Sequence, residues 1–209
     1  MKNSLHKTVA SVAIASCMVL AVGCKKTADN SLNYRTAIND YYTAHPACLW
    51  STPQKFPMQI DTSDAEKTGG FDALFNQGLL NRTTNEKKTM IVMSKQVTNY
   101  DLSDKGRAAW TADTTDPSSG NFCYGHRNVS SIDSSTPNNG DVGSTTQVGY
   151  HWAFGDAAGW AKAAGVQSAF PAVATNMAGN GAATKTLTDT SSGWKVTSPA
   201  SAADGSIVE

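Results

Sequence analysis

The stretch TQVGYHWAF, Thr146–Phe154, carries the clearest secondary-structure pattern in the chain. Apolar and polar residues alternate along it, and successive side chains of a β-strand point to opposite faces of a sheet. The residues expected on the apolar face are Thr146, Val148, Tyr150, Trp152 and Phe154. The stretch therefore predicts a half-buried strand with one strongly apolar face.

Further strands are predicted on both sides of this stretch, within a lobe that spans residues 120–198. Phe122–Ile132 is typical of a strand, and the turn-rich loop that follows it separates it from the central strand. Thr184–Thr188 and Trp194–Thr197 predict a closing hairpin, because Ser and Gly residues mark a turn between them. The lobe is thus expected to contain several strands, the last two of them in a hairpin.

An alanine-rich helix is predicted directly after the central strand. Asp156 is expected to cap its first turn, and Trp160 lies within it. Gly165 and Pro171 are expected to interrupt it. Strands curled around one helix resemble the cystatin arrangement. The prediction for residues 120–198 is accordingly an α+β lobe of strand–helix–strand order with a cystatin-like fold.

The first lobe, residues 31–112, is predicted to be mainly helical, and the polar connection Thr111–Gly120 joins it to the second. Leu32–Ala44 and Asp64–Gln77 both show helical spacing of apolar residues. Gly78 suits the left-handed position that closes a helix. The apolar sides consist of Leu32, Ile38, Tyr41 and Tyr42 in the first helix and of Phe71, Leu74 and Phe75 in the second.

A strand at Thr89–Met93 is predicted to pair with Tyr100–Leu102, and Ser103 is predicted to cap a short helix. The segments FDALFNQGLLNR, Phe71–Arg82, and YDLSDKGR, Tyr100–Arg107, together resemble part of a winged helix. Such domains carry a helix ending in Gly-Leu-Leu, then a hairpin, then Tyr-x-Leu-Ser/Thr-x-x-Gly. The resemblance implies a winged-helix-like first lobe.

The charges of the winged-helix-like segment do not suit nucleic acid. A helix presented to phosphates needs basic residues, because neutralisation of phosphates supplies most of the non-specific affinity. Between residues 61 and 80 the chain has one basic residue, Lys67. The acidic residues there are Asp61, Asp64, Glu66 and Asp72. We therefore predict that nucleic acid is not a partner.

The first 23 residues have the organisation of an export signal. Lys2 and Lys7 give a positive start, and the apolar run Thr8–Val22 is too short to span a hydrocarbon core of about 30 Å. Removal of residues 1–23 would leave residues 24–30 as a short polar tether. At the other end, residues 199–209 are small and polar, and they are predicted to be disordered.

The sequence LAVGC, Leu20–Cys24, resembles the lipobox of bacterial lipoproteins. The resemblance implies cleavage before Cys24 and acylation of that cysteine, with Ala21 where the usual motif has leucine. Lys25 fits an outer-membrane sorting pattern. The expected location is therefore the cell membrane, with a lipid anchor in the outer membrane on the periplasmic side.

Cys48 and Cys123 remain in the mature chain once Cys17 is lost with the signal and Cys24 is acylated. An even pair in an oxidising compartment predicts a disulfide. Zinc is an alternative, because His45-x-x-Cys48 and Cys123-x-x-His126 form a Cys2His2 set, although a regular strand through Cys123 would point His126 to the opposite face. Free thiols are the third possibility.

No catalytic residue is identified from the sequence. The mature chain has three histidines, His45, His126 and His151, and His151 is expected at the surface of its strand. The known signatures of serine hydrolases, zinc peptidases and nucleotide-binding enzymes are missing, so no cofactor is predicted. The larger aromatic residues could line a ligand pocket or form the core: Trp50, Trp110, Tyr150, Trp152, Phe154, Trp160 and Trp194.

The chain as a whole predicts a non-enzymatic binding or structural lipoprotein of the cell envelope. Its 17 basic and 17 acidic residues leave no net charge that would attract nucleic acid or anionic lipid in bulk. The expected partners are the membrane, through the anchor, and an unknown envelope protein or small ligand. The alternatives are a periplasmic hydrolase with an unrecognised site and an envelope sensor that contacts proteins.

Overall fold

The structure is a computed structural model that describes residues 30–90 and 93–197. The export signal, Cys24 and the tail 199–209 lie outside the described residues. Two residues of the predicted strand Thr89–Met93, Ile91 and Val92, also lie outside them.

The described part of the chain contains both helices and strands, so the predicted α+β class is confirmed. The helices are α1 (Ser31–Ala44), α2 (Ala65–Asn76), α3 (Asp104–Ala109), α4 (Ala164–Ala169) and α5 (Pro171–Met177), with a 3-10 turn at Gly159–Lys162. The strands are β1 (Ala47–Cys48), β2 (Gln54–Lys55), β3 (Met58–Asp61), β4 (Leu80–Met90), β5 (Met93–Leu102), β6 (Trp110–Ala112), β7 (Ser119–Ser135), β8 (Thr145–Gly155), β9 (Asn180–Thr190) and β10 (Gly193–Val196). Within the described ranges, each helix is too short or too polar to cross a bilayer.

Two antiparallel sheets organise the fold. The larger one has seven strands in the order β1-β7-β8-β9-β10, with β2 and β6 also paired to β7, and it is curled into a half-barrel. Strand β7 is 17 residues long and pairs with β1, β2 and β6 before it reaches β8 at His126. The smaller sheet has the order β3-β5-β4. Strand β7 thus joins the short strands of the N-terminal half to the long strands that follow.

Strand β8 confirms the alternating pattern of the central stretch. Val148 and Tyr150 are fully buried, whereas Gln147 and His151 are exposed. The strand lies between β7 and β9, and its buried face meets α1. Alternation thus predicted which residues enter the core, because the side-chain period of a strand is two.

Helix α1 lies across the larger sheet and contacts β7 and β10. The cluster that it forms with the sheet contains Tyr34, Ala37, Ile38, Tyr42, Val129, Val148, Tyr150, Leu187 and Trp194. The predicted helix is confirmed, but Leu32 is exposed, because it lies almost opposite Tyr34 on the helical wheel. The packing also differs from the predicted partition, which grouped this helix with α2 in one lobe.

A second hydrophobic cluster lies around α2, whose first turn is capped by the Asp64 side chain. Gly78 follows the helix with φ of 72°, which confirms its predicted left-handed position. The larger members of the cluster are Leu49, Leu74, Leu79, Leu80, Tyr100, Phe122, Tyr124, Trp160, Val166 and Val173. The cluster combines residues from both predicted lobes, and α2 packs directly against α4. The two halves of the chain therefore share a core.

The alanine-rich segment after β8 forms the 3-10 turn, α4 and α5, with breaks at Ala163 and Phe170, within two residues of the predicted interruptions at Gly165 and Pro171. The prediction that Asp156 caps this segment is wrong. The N-cap position belongs to Ala158, while Asp156 adopts a left-handed φ of 53° and accepts a hydrogen bond from Asn128. An aspartate tolerates this conformation better than most residues do.

Strands β4 and β5 form a hairpin in which Tyr100–Leu102 pairs with Leu80–Arg82, so the predicted pairing of Tyr100–Leu102 with Thr89–Met93 is wrong. The predicted cap at Ser103 is confirmed, since its side chain accepts from the Gly106 N–H at 2.8 Å. The Ser103 N–H donates to the Leu79 carbonyl at 3.0 Å. The second bond attaches the start of α3 to the segment that follows α2.

Candidate functional site

Cys48 and Cys123 form a disulfide between directly paired positions of β1 and β7, which confirms the predicted bond. Because each sulfur is bonded to the other, the Cys2His2 zinc arrangement and the free thiols are both ruled out for this structure. Among the described residues, no three His, Cys, Asp or Glu side chains are grouped closely enough to hold a metal. The disulfide instead fixes the chain on either side of it.

The two histidines that accompany these cysteines line one pocket. Pairing is irregular here, because Ala47 lies opposite Gly125 while Cys48 lies opposite Cys123. Gly125 has φ of 153°, and a Cβ atom there would approach the Phe154 ring and the Gly155 carbonyl to 2.7 Å. The irregularity changes the alternation of β7, so His126 lines the same pocket as His45 and does not face away from it.

The pocket has a volume of about 160 Å³ and lies where the end of α1, strands β1, β7 and β8 and the end of α5 meet. Its lining residues are His45, Ala47, His126, Arg127, Trp152, Phe154, Thr175, Asn176 and Gly179. Trp152 and Phe154 supply an apolar wall. This combination of aromatic walls with a few polar groups is typical of small-molecule sites.

Arg127 is the permanently charged residue of the lining. Its guanidinium lies 3.8 Å from the ring centroid of Trp152 and 5.8 Å from that of Tyr42, which belongs to α1. Both contacts are cation–π contacts, which orient the planar group without occupying its N–H donors. No Asp or Glu is found among the residues that line the described pocket.

His45 is held by the last turn of α1. Its Nδ1 lies 2.7 Å from the Tyr41 carbonyl oxygen, and its ring stacks on the Tyr41 ring at 4.2 Å between centroids. A carbonyl can only accept, so Nδ1 carries the proton in this bond. In the neutral form of His45, Nε2 is therefore the nitrogen that can accept a hydrogen bond from a ligand.

His126 lies beside the carboxylate of Asp156, with 3.4 Å between Nε2 and Oδ2. The same carboxylate oxygen accepts from Asn128 Nδ2 at 2.7 Å. The Asn128 side chain lies close to the backbone of Gly155, and this approach is possible because glycine has no Cβ atom that would clash with Nδ2. The left-handed backbone of Asp156 and the small size of Gly155 thus place an acid next to the imidazole.

Asn176 connects the pocket to the core behind it. Its Nδ2 donates to the Tyr124 hydroxyl at 2.7 Å, and Tyr124 is almost completely buried. Burial raises the pKa of Tyr124, although the hydrogen bond from Asn176 acts in the opposite direction. Tyr124 therefore stays protonated at neutral pH and holds the end of α5 in place as a neutral partner.

The remaining sequence candidates lie elsewhere. Tyr150, Trp160 and Trp194 are buried core residues, and Trp50 and Trp110 pack against the cluster around α2. His151 is exposed as predicted, and its Nδ1 lies 2.7 Å from Asp133. The hydrogen bond from His151 lowers the pKa of the Asp133 carboxyl. Of the aromatic residues considered from the sequence, Trp152 and Phe154 line the pocket, and the others belong to the core or pack against it.

Arg127, Asp156 and Asn176 were not identified as site residues from the sequence. Gly125 was the available signal, because an isolated glycine within a strand pattern indicates an irregularity that redirects side chains. No sequence pattern indicates that Asn176, about 50 residues away, joins them. That contact depends on the path of α5.

Comparison of the chain with known protein families, with curated proteins and with solved structures finds no match. The pocket is therefore interpreted from its own geometry.

Proposed function

We propose that this protein is a lipid-anchored component of the bacterial cell envelope whose folded domain binds a small molecule in the pocket at Arg127. The anchor is supported by the export signal and the lipobox pattern at Leu20–Cys24. The binding role is supported by the pocket itself. One observation carries it: a cation held on an indole ring beside two histidines and an apolar wall.

Acylation at Cys24 would keep the domain at the membrane surface. Two or more acyl chains anchor a protein stably, because each buried methylene contributes about 0.8 kcal/mol. The tether, residues 24–30, reaches at most about 25 Å when extended, and α1 begins at Ser31. The proposed location is the outer membrane on its periplasmic side, where the pocket would meet periplasmic solutes.

The substitution Cys24→Ser is expected to move the protein from the membrane fraction to the soluble fraction, because serine cannot receive the thioether-linked lipid. Fractionation of cells followed by immunoblotting measures this. Cys17→Ser is the matched control, since it makes the same change within the export signal. A Cys24→Ser protein that sediments with membranes as the parent does would refute the anchor.

Binding in the pocket is expected to perturb the indole N–H resonance of Trp152 in a ¹H–¹⁵N NMR spectrum. The probes are benzoate, benzamide and benzylamine, which share one ring and differ in charge. Trp194 is the internal control, because it packs against α1 in the core and does not line the pocket. If none of the three probes shifts Trp152, or if Trp194 shifts equally, the pocket is not a small-molecule site.

The alternative of a hydrolase is favoured by one observation, the His126–Asp156 pair at the pocket. A carboxylate that orients an imidazole is part of many general-base sites. The described lining offers no serine, and the Thr175 hydroxyl donates to the Pro171 carbonyl at 3.2 Å. Activation of water by His126 is the remaining route, and hydrolysis of a nitrophenyl ester that His126→Gln abolishes would support it over simple binding.

We further propose that the segment from α2 to α3 is winged-helix-like and that α1 with the curled sheet is cystatin-like. The order helix, hairpin and capped short helix supports the first, and one helix lying across a half-barrel supports the second. DNA binding is not part of the proposal, since α2 has one basic residue, Lys67, against Glu66 and Asp72, and this balance does not suit phosphates. The sensor alternative would need an exposed apolar patch for a protein partner, and the described large apolar residues that are exposed are two, Leu32 and Val142.

A further inference from the structure

The Arg127 guanidinium has no hydrogen-bond or ion-pair partner within residues 30–90 and 93–197, where its side-chain contacts are the two aromatic rings. It is also half-buried. A charge that is partly removed from water is costly unless it is paired, and a guanidinium presents a planar set of donors that matches a carboxylate. The N–H donors of the Arg127 guanidinium are therefore free to bind an anionic ligand from solution.

The charges around Arg127 also favour an anionic ligand. The nearby acid, Asp156, is not among the residues that line the described pocket; its carboxylate accepts a hydrogen bond from Asn128 and lies 3.4 Å from His126 Nε2. The Arg127 guanidinium, as the permanently charged group of the lining, would repel a cationic ligand and attract an anionic one.

The size and the walls of the pocket limit the rest of the ligand. Its volume of about 160 Å³ is close to the roughly 150 Å³ of an engineered cavity that holds benzene. Ala47, Trp152 and Phe154 supply apolar contact for a flat group of that size. The lining has one permanent positive charge, which matches a monoanion and would leave a dianion half compensated.

We infer that the ligand of this pocket is a small planar carboxylate with a single ring or a body of that size. Its carboxylate pairs with the Arg127 guanidinium, and its apolar body lies against Ala47, Phe154 and the exposed part of Trp152. The inference rests on the proposed binding function and narrows it to one chemical class. The pocket would select its ligand by the charge of the group at Arg127 and by the volume of the apolar body.

Titration of the mature protein with benzoate, benzamide, benzylamine and phenyl phosphate tests this, with affinities taken from the Trp152 indole shift. Benzoate is expected to bind at least about tenfold more tightly than benzamide, as a charge-assisted pair in a partly buried site does. The substitution Arg127→Gln is expected to remove that advantage. Arg35→Gln is the matched control, because Arg35 is an exposed arginine of α1 that donates to the Ser130 carbonyl and does not line the pocket.

The outcomes separate this inference from the proposed function. If benzamide or benzylamine binds as tightly as benzoate, or phenyl phosphate binds more tightly, the carboxylate assignment is overturned while the pocket remains a binding site. Binding of none of the four probes overturns both. If Arg127→Gln proves unfolded by its NMR spectrum, Arg127→Lys replaces it. That variant keeps the charge but lacks the planar donor pair, so retention of full benzoate affinity by it would contradict the inference.

Discussion

Replacement of both Cys48 and Cys123 by alanine is expected to lower the free energy of unfolding by up to about 4.5 kcal/mol. The bond joins residues separated by 75 positions, and closure of so long a loop removes much conformational entropy from the unfolded chain. Strand β1 has two residues, so few backbone bonds would hold it to β7 after the bond is lost. Urea unfolding followed by tryptophan fluorescence measures the difference.

The same change is expected to weaken ligand binding, because the disulfide holds one side of the pocket against the other. His45 and Ala47 precede Cys48, while His126 and Arg127 follow Cys123. Dithiothreitol should reproduce both effects in the parent protein and have no effect on the double variant. A double variant that unfolds at the same urea concentration as the parent would show that the bond contributes nothing to the stability of this fold.

Gly106→Ala is expected to destabilise the protein by about 3 kcal/mol or more, although helix propensity alone predicts a gain of up to about 1 kcal/mol. Gly106 is buried in the first turn of α3. A Cβ atom built there would lie 1.9 Å from the Leu79 carbonyl oxygen, which is a backbone atom that cannot rotate away. Relief of the clash requires α3 to separate from the end of α2, and the Ser103 N–H bond to Leu79 would be lost.

Gly69→Ala is the matched control for this prediction. Gly69 lies in α2, and a Cβ atom there would meet nothing within 4 Å. The variant is therefore expected to be as stable as the parent or more stable by roughly 0.5–1 kcal/mol, as propensity predicts. Thermal unfolding of the two variants measures the contrast, and a Gly106→Ala protein that matches Gly69→Ala would contradict the close packing of α3 on Leu79.

Several parts of the fold could be predicted from the sequence because they depend on local spacing. The period of two in Thr146–Phe154 predicted β8 and its buried residues, and the closing turn before Gly193 predicted the β9–β10 hairpin. Gly78 and Ser103 predicted the ends of helices, because the backbone conformation of one and the side-chain acceptor of the other act within a few residues. The disulfide was predicted by elimination among four cysteines.

The candidate site could be predicted only in part. His45 and His126 attracted attention through their spacing from Cys48 and Cys123, but the expected alternatives were a disulfide and a metal site. Arg127 looks like an ordinary strand residue until its contact with Trp152 is known. Asp156 looked like a helix cap until its left-handed backbone placed it beside His126.

The sequence by itself determined the α+β class, the disulfide and the main strands. The proposed membrane location also rests on the sequence alone. Each of these follows from neighbours in the chain or from the count of one residue type. Only the tertiary structure decided that α1 covers the larger sheet and that α5 brings Asn176 to the pocket. The irregularity at Gly125, which turns His126 towards His45, was decided there too. The physical reason is that a site built from five separate elements depends on long-range packing, and side-chain periodicity carries no information about which distant faces meet.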